Sequence, residues 1–419
     1  MSRLHQAHWF FDHLLRKLED RRVSRERLAD VVTRLMIAAP EGLSQSQIAR
    51  GERLPLPFPL APDSVSRATN ALSSLHLATA QKVSPRGAVG RPYTPLRLGG
   101  DRWATVGVKI GHRAGRSVSL NILVTGLDGQ PLNIAGYQSH DQLYVRDLPD
   151  GGLDELVEAF GMAVEEICGQ PAVRKRYILG VGIELAGHVC DGKVINASHN
   201  DMVGVQLDQL LSRRLESLTQ RHDKIVDRPE PLPVIIDNDV NVLAALETYR
   251  PWFMDHEMAV VAVFDDGIGA ALILDGRVYR GARGMAGEIG HCLVPIEPDA
   301  EIEEGEVQPS SLKFSAQCHC GGFRHLDCYA TPVRILSQLT ENNFDGFDEI
   351  ARAQFDEIAQ RPAGLQGQET QESIVFRAAG RALGVGITGL VNVINPSRVL
   401  VLLPPTLVHT KAGSVAARY

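Results

Sequence analysis

The sequence predicts an α/β protein in two parts, a small basic head of helices closed by a hairpin and a larger acidic body in which strands and helices alternate. Length is the first observation behind this: 419 residues exceed the roughly 250 to 300 at which a single core stops growing. Charge is the second. The net charge of -7 is unevenly divided, since residues 1 to 100 carry 15 lysines and arginines against 8 acids, while the remainder carries 28 against 42. A basic head on an acidic body is the distribution expected of a phosphate-binding module joined to a domain that does not bind nucleic acid. The third observation is periodicity, which is helical before residue 75 and switches to β/α alternation from Trp103 onward.

Taken in order, residues 5 to 20 read as a charged amphipathic helix. Residues 25 to 38 read as a second, with Leu28, Val31, Val32, Leu35 and Met36 at helical spacing. Ser44 stands as the N-cap of a short helix, QSQIAR, which the proline-rich residues 54 to 62 break. Pro62 opens the next helix, to residue 75; Val65, Ala68, Leu72 and Leu75 form its apolar stripe, and Ser64, Ser66, Arg67, Asn70 and Ser74 lie away from it. Two short segments then flank the basic loop SPRGAVGRPY, the second being TPLRL.

Helix, helix and hairpin in that order is the plan of a winged helix-turn-helix, here domain 1–98, with the body as domain 101–419. On that plan Ser64, Ser66, Arg67 and Asn70 face the major groove of double-stranded DNA, where Arg pairs with guanine and Asn with adenine. Arg86 and Arg91 suit a wing that reaches phosphates or a narrow minor groove. A winged helix used for protein contacts is the competing reading, and the basic charge of the head speaks against it. Each such module reads few base pairs, so specificity over a genome calls for a homodimer or homotetramer on a two-fold related operator.

In the body TVGVKIG, VSLNILVT, YILGVGIEL, VIIDN, AVVAVFD and GAALILD read as strands, with helices near residues 151 to 168, 205 to 218 and 239 to 248. Residues 297 to 315 read as an exposed acidic and then Ser-rich loop, and the Gln-rich residues 354 to 371 as a loop or the frayed edge of a helix. No apolar run approaches the ~20 residues that span a bilayer. The first thirty residues lack the uncharged stretch of a secretory signal, which points to the cytoplasm and away from a membrane. Cysteines in such a compartment are metal ligands or small core residues more often than disulfides, and Cys318, Cys320 and Cys328 fall within eleven residues.

Two segments carry more specific chemistry: GIGAALILDGRVYRGARGMAGEIGH at 267 to 291 and CHCGGFRHLDCYAT at 318 to 331. With GVGIELAGHV (180 to 189), IIDNDVNVLAALE (235 to 247) and LGVGITGLVNVINP (383 to 396), they resemble the ROK family of bacterial sugar kinases and the repressors derived from them. The resemblance implies a two-lobed actin-like ATPase fold with a sugar or sugar derivative held between the lobes. It implies that Asn200, Asn238, Asp239, Glu288, His291 and Asp327 line the ligand site. Asp239 takes the place of the family's general base, a role for which a cleft carboxylate is suited; as a plain reading, the same residue is a helix N-cap. Asp327 stands where the family has a Glu, one methylene longer.

The family's structural zinc is held in a pattern C-x-C-G-x-x-G-C plus a histidine. The resemblance therefore assigns His291, Cys318 and Cys320 as ligands of a structural Zn²⁺. His325 occupies the fourth position, with Cys328 three residues on as the alternative; register favours His325, and a Cys2His2 set suits zinc's tetrahedral preference.

The kinase chemistry is where the sequence departs. Phosphoryl transfer depends on positioning phosphate and Mg²⁺, and the family's Asp-x-Gly-Gly-Thr loop is here Lys109, Ile110, Gly111, His112 and Arg113. The family's second glycine pair is replaced near Leu402, Leu403 and Pro404, which cannot give the close backbone approach of glycine. The expectation is a regulator without enzymatic activity, a DNA-binding repressor that responds to a sugar. A sugar kinase with an atypical phosphate loop is the alternative, and a scaffold that binds DNA without a ligand is a third reading. Another departure is that the turn between the two helices of the motif is stretched by the proline-rich insertion, which leaves the angle between them open.

Overall fold

In the computed structural model, the described residues are 25–38, 42–51, 59–74, 77–80, 94–99, 103–112, 118–134, 144–148, 152–197, 202–219, 232–248, 257–294, 317–340, 342, 344, 347–364, 370–410 and 414–419. The expected helix at 5 to 20, the wing with Arg86 and Arg91, Asn200, and the acidic loop at 297 to 315 lie outside them. The chain separates into two compact units. One comprises Met1–Gly111, Val118–Asp239 and Leu246–Met254, and the other His112–Ser117, Val240–Ala245 and Asp255–Tyr419.

Among the described residues, the first unit opens with helices α1 (Arg25–Ile37), α2 (Gln45–Arg50) and α3 (Pro62–Ser74), followed by the antiparallel pair β1 (Ala78–Ala80) and β2 (Leu96–Leu98). Leu43, just ahead of α2, adds a bridge to Leu96, so the hairpin is tied back to the helices. A separate core closes this head: Leu28, Val31 and Leu35 of α1, Ile48 of α2, and Val65, Ala68 and Leu72 of α3 are buried with Leu77 and Leu96. The apolar positions recur at three- and four-residue spacing, so each helix buries one stripe and leaves the other face to solvent. Trp103 and Leu127 pack against that core from the adjoining body, and the Trp103 ring lies 5.4 Å from that of Tyr177.

The rest of the first unit is built on a five-stranded sheet of order β5-β4-β3-β6-β9, with β3 (Trp103–His112), β4 (Val118–Thr125), β5 (Tyr144–Leu148), β6 (Tyr177–Leu185) and β9 (Val234–Asn238). β3, β6 and β9 run parallel, while β5 is antiparallel to β4. A side hairpin of β7 (Gly187–Cys190) and β8 (Lys193–Ala197) follows β6. Helices α4 (Leu153–Gly169) and α5 (Leu207–Thr219) contribute Phe160, Val164, Leu211 and Leu215 to the core of this unit. Strict alternation on β3 puts Ala104, Val106, Val108 and Ile110 inside and leaves Gly107 and Lys109 exposed.

Helix α6 (Asp239–Glu247) follows β9 directly. The second unit carries a four-stranded sheet of order β12-β11-β10-β13, formed by β10 (Met258–Val263), β11 (Ile268–Leu274), β12 (Arg277–Tyr279) and β13 (Arg398–Leu402); β13 lies parallel to β10. Helices α7 (Asp327–Ala330), α8 (Pro332–Thr340), α9 (Glu349–Ala359) and α10 (Gln371–Ile394) belong with it, and the short α11 (Pro405–Val408) follows β13. By length and hydropathy alone α10 is long and apolar enough to cross a bilayer, a property that a core helix shares. Its buried side chains, Val375, Phe376, Ala379, Ala382, Leu383 and Leu390, belong to the core of the second unit.

Every strand and helix expected of the body forms within a few residues of its expected bounds, with one shortening: AVVAVFD leaves the sheet at Val263, where the Phe264 N–H donates to Gly267 O in a tight turn. Of the two expectations for the Gln-rich stretch, the helix edge is the one found: it is helical over its first residues, to Ala359. Asp348 caps α9 by accepting from Ala351 N–H, and burial of Phe355, Ile358 and Ala359 carries the helix to residue 359.

Candidate functional site

Arg67 and Asn70 are exposed on the outer stripe of α3, together with Asp63 and Ser74, at successive spacings of four, three and four residues. Ser64 and Ser66 are half-buried at its flanks. Asp63 was missed in the sequence, where it reads simply as a favourable first-turn acid, yet it heads the same exposed stripe. Helix α2 is closed by a capping box, in which Ser44 accepts from Gln47 N–H and Gln47 reaches back to Ser44 N–H at 3.0 Å.

In the second unit a 3-10 turn, Ile289–His291, presents the GEIGH segment. Gly287 is required: its φ is +90°, and a Cβ would run into Ala270 O on β11. Glu288 and His291 are half-buried, with Glu288 Oε2 3.9 Å from His291 Nε2. Opposite lies the cysteine loop, tied to the segment by Val294 N–H to Arg324 O at 3.0 Å and Leu326 N–H to Cys292 O at 3.0 Å. Arg324, in the register of the family's second glycine, still adopts the left-handed φ of +63° that a glycine would favour. A Cβ at Gly322 would collide with the His325 imidazole, so this glycine makes the space that the ring occupies.

His291, Cys318, Cys320 and His325 converge, with one donor atom from each and all four within 4.8 Å of one another. Cys318 Sγ is 3.4 Å from His291 Nδ1 and Cys320 Sγ is 3.3 Å from His325 Nδ1. Bond lengths of about 2.0 to 2.3 Å in a tetrahedral zinc site set donor separations of about 3.3 to 3.8 Å; the two His–Cys pairs have that spacing, and two thiols with two imidazoles are a donor set that zinc favours. The pair electrostatics run the same way. Hydrogen bonding from Cys328 and His291 pulls the Cys318 thiol well below the usual thiol range, and the bond to Cys318 raises His291 to about 9. Cys328 is held up as a thiol, above all by its bond to Cys318. It is buried on α7 and is not one of the four converging residues.

Asp327 is largely buried, and that burial raises its carboxyl to about 7. Its Oδ1 accepts the Ile268 N–H at 2.8 Å. In the first unit Asn238, the last residue of β9, donates from Nδ2 to Gly187 O at 3.0 Å, and Asp239 is the half-buried first residue of α6. Lys109, in the register of the phosphate-loop acid, pairs with Glu184 on the neighbouring strand at 3.2 Å. β13 ends at Leu402, and Pro404 leads into α11.

Among curated relatives, the chain is 26% identical over 257 residues to a putative xylose repressor of Caldicellulosiruptor sp. (strain Rt8B.4), covering 59% of this chain and 56% of the relative. It is 27% identical over 259 residues to the DNA-binding transcriptional dual regulator NagC of Escherichia coli (strain K12), covering 61% and 55%. A glucokinase of Halalkalibacterium halodurans is 26% identical over 184 residues, covering 43% and 51%. The chain thus spans about half the length of the curated relatives it matches. Its fold is similar to the crystal structure of a ROK family transcriptional regulator, a homologue of the Escherichia coli MLC protein, with a TM-score of 0.56 at 21% identity over 90% of this chain and 83% of that one. The sequence pattern of the ROK family matches residues 138–402, more than half of the chain, and the protein belongs to the ROK family.

Proposed function

We propose that the protein is a sequence-specific DNA-binding transcriptional regulator, a repressor whose operator affinity is set by a sugar or sugar derivative bound in its ROK domain. The observation that carries this is the head: three helices and a hairpin with their own core, on which α3 holds Arg67 and Asn70 exposed on one stripe. The repressor names among the relatives support the same reading, and domains 1–98 and 101–419 are its two working parts. Arg86 and Arg91 supply backbone contacts from the wing, and Ser64 and Ser66 flank the reading stripe. The regulator acts in the cytoplasm as a homodimer or homotetramer.

The effector site draws on Asn200, Asn238, Asp239, Glu288 and His291, whose amide, carboxylate and imidazole groups suit vicinal hydroxyls. Asp327, whose Oδ1 also accepts the Ile268 N–H, belongs to the same set. A structural Zn²⁺ held by His291, Cys318, Cys320 and His325 would supply a fixed crosslink between the GEIGH turn and the cysteine loop, orienting Glu288 and His291.

Catalysis is not part of this reading. Lys109 paired to Glu184 puts a cation where metal-bound phosphate needs an acid, and Leu402 and Leu403 replace a glycine pair. The kinase alternative rests on Asp239, retained at the start of α6. Two experiments on the full chain test the proposal. Genomic fragments recovered on the purified protein should be enriched in a shared sequence. A panel of sugars should include one that raises the melting temperature, because a ligand of the native state stabilises it by mass action. Recovery of random fragments only would overturn the DNA reading, and a panel without any shift would overturn the sugar reading.

A further inference from the structure

We infer that Gln45 and Thr69 are positioning residues for DNA reading, which lock the angle between the two helices of the motif in place of a tight turn. The inference rests on the DNA-binding reading above and adds to it which groups hold the reading helix.

The need for such a lock follows from the sequence. Helix-turn-helix motifs ordinarily set their angle with a turn of three or four residues, whereas residues 51–61 separate α2 from α3. A longer connection costs little closure entropy, but it transmits no angle. The orientation of α3 must therefore be fixed by contacts beyond the connection itself.

The structure supplies them at both ends of α2. At its first turn, Gln45 donates from Nε2 to Thr69 Oγ1 at 2.7 Å, across 24 residues of sequence. Thr69 is 1% exposed, and its own hydroxyl donates to the α3 backbone, with Val65 O at 2.9 Å and Ser66 O at 3.1 Å, so the acceptor is held against its own helix. At the last turn, the guanidinium of Arg34, itself only 3% exposed, donates from Nη1 to Ile48 O at 2.7 Å and ties α1 to α2. There too the connection returns, with Leu60 N–H donating to Ala49 O at 2.8 Å.

These links differ from the apolar contacts around them in being directional. Val65, Ala68 and Leu72 bury the inner face of α3, but apolar packing tolerates small rotations that a 2.7 Å bond to a fixed hydroxyl does not. Thr69 lies on the buried side, next in sequence to Asn70 and two residues from Arg67 on the exposed stripe. A rotation of α3 would therefore sweep both exposed side chains along the groove. Bidentate pairing to a base edge is sensitive to such a shift, whereas phosphate contacts are tolerant of it. The lock should thus control discrimination more than overall affinity.

The test uses the full chain, a duplex that the wild-type protein enriches from a random library, and an unselected duplex of equal length. Thr69→Val keeps shape and burial but removes the acceptor. It is expected to bind the unselected duplex within about twofold of wild type and to lose about tenfold of its preference for the selected one. Thr69→Ser should restore that preference. Gln45→Met should reproduce the loss from the surface side of the same bond, without touching the core, and should add nothing further in the Thr69→Val background, the mark of one shared interaction. Wild-type preference in both single variants would overturn the inference. So would equal losses on both duplexes, which signal general weakening. A wild-type protein that enriches no sequence would remove the DNA-binding reading itself, and the inference with it.

Discussion

Asp327 Oδ1 accepts the backbone N–H of Ile268 at 2.8 Å, across 59 residues of sequence. The carboxylate that the family resemblance places against a sugar is thus engaged with the first residue of β11. Gly290 makes this possible, because a Cβ there would run into both Ile268 O and the Asp327 carboxylate.

Removing that acceptor should therefore cost stability. Asp327→Ala leaves a buried Ile268 N–H without its partner and is expected to lose about 1 to 3 kcal/mol in chemical denaturation. Asp327→Asn, which keeps an acceptor oxygen, should lose less than half as much. Equal losses would show that the bond to Ile268 is not what holds the side chain.

Gly290→Ala should be as costly or worse, since the colliding atoms are backbone on one side and a pinned carboxylate on the other. Overpacking of this kind costs about 1 to 3 kcal/mol. A variant as stable as wild type would mean that the GEIGH turn is free to move away from β11.

How far the sequence carries the reading depends on the range of the interactions involved. β3 was legible because Ala104, Val106, Val108 and Ile110 alternate with residues on the other face, and α3 because its apolar stripe returns every three or four positions. β5 and the β7/β8 hairpin escaped, being short, and in the hairpin's case broken by the turn at Asp191 and Gly192, both at positive φ. Spacing lists Cys318, Cys320, His325 and Cys328, and only register against the family pattern favours His325 over Cys328. The space at Gly322 that His325 fills, and the burial of Cys328 on α7, are three-dimensional facts. The same holds for Gln45 and Thr69, since no local pattern marks an exposed amide as the partner of a buried hydroxyl 24 residues away.

For the metal, the expectation is about one zinc per chain by elemental analysis. Cys318→Ser and His325→Ala should each lower zinc content and melting temperature, while Cys328→Ala should keep close to a full equivalent. The reverse pattern for His325 and Cys328 would make Cys328 the fourth ligand. Full zinc in Cys318→Ser would remove the assignment altogether.

Enzymatic turnover is expected to stay at background. On the proposed reading, ATP consumption with any common hexose should not exceed a no-sugar control, because Lys109, paired with Glu184, stands at the position where the family resemblance calls for an acid. Sugar-dependent ADP release that disappears in Asp239→Ala would favour the kinase reading instead.

The last expectation separates base reading from backbone affinity. Arg67 is exposed on the outer stripe of α3, where on the proposed reading it would pair with a guanine edge, whereas Arg91, in the basic sequence SPRGAVGRPY, would contact the backbone. Arg67→Ala should therefore cost about 1 to 3 kcal/mol on a selected duplex and little on an unselected one. Arg91→Ala should weaken both alike and lower the slope of log affinity against log salt by about one unit, as expected for one lost phosphate contact. Asp63, on the same stripe as Arg67, suits the amino group of a cytosine, so Asp63→Ala should relax preference at one base pair without weakening random binding. A salt titration of the three variants on both duplexes reads all these effects together. Equal losses on the two duplexes for Arg67→Ala would show that α3 is not the reading helix. A complex of one chain on one half-site would remove the case for a symmetric oligomer, since a single winged helix reads too few base pairs to find one operator in a genome.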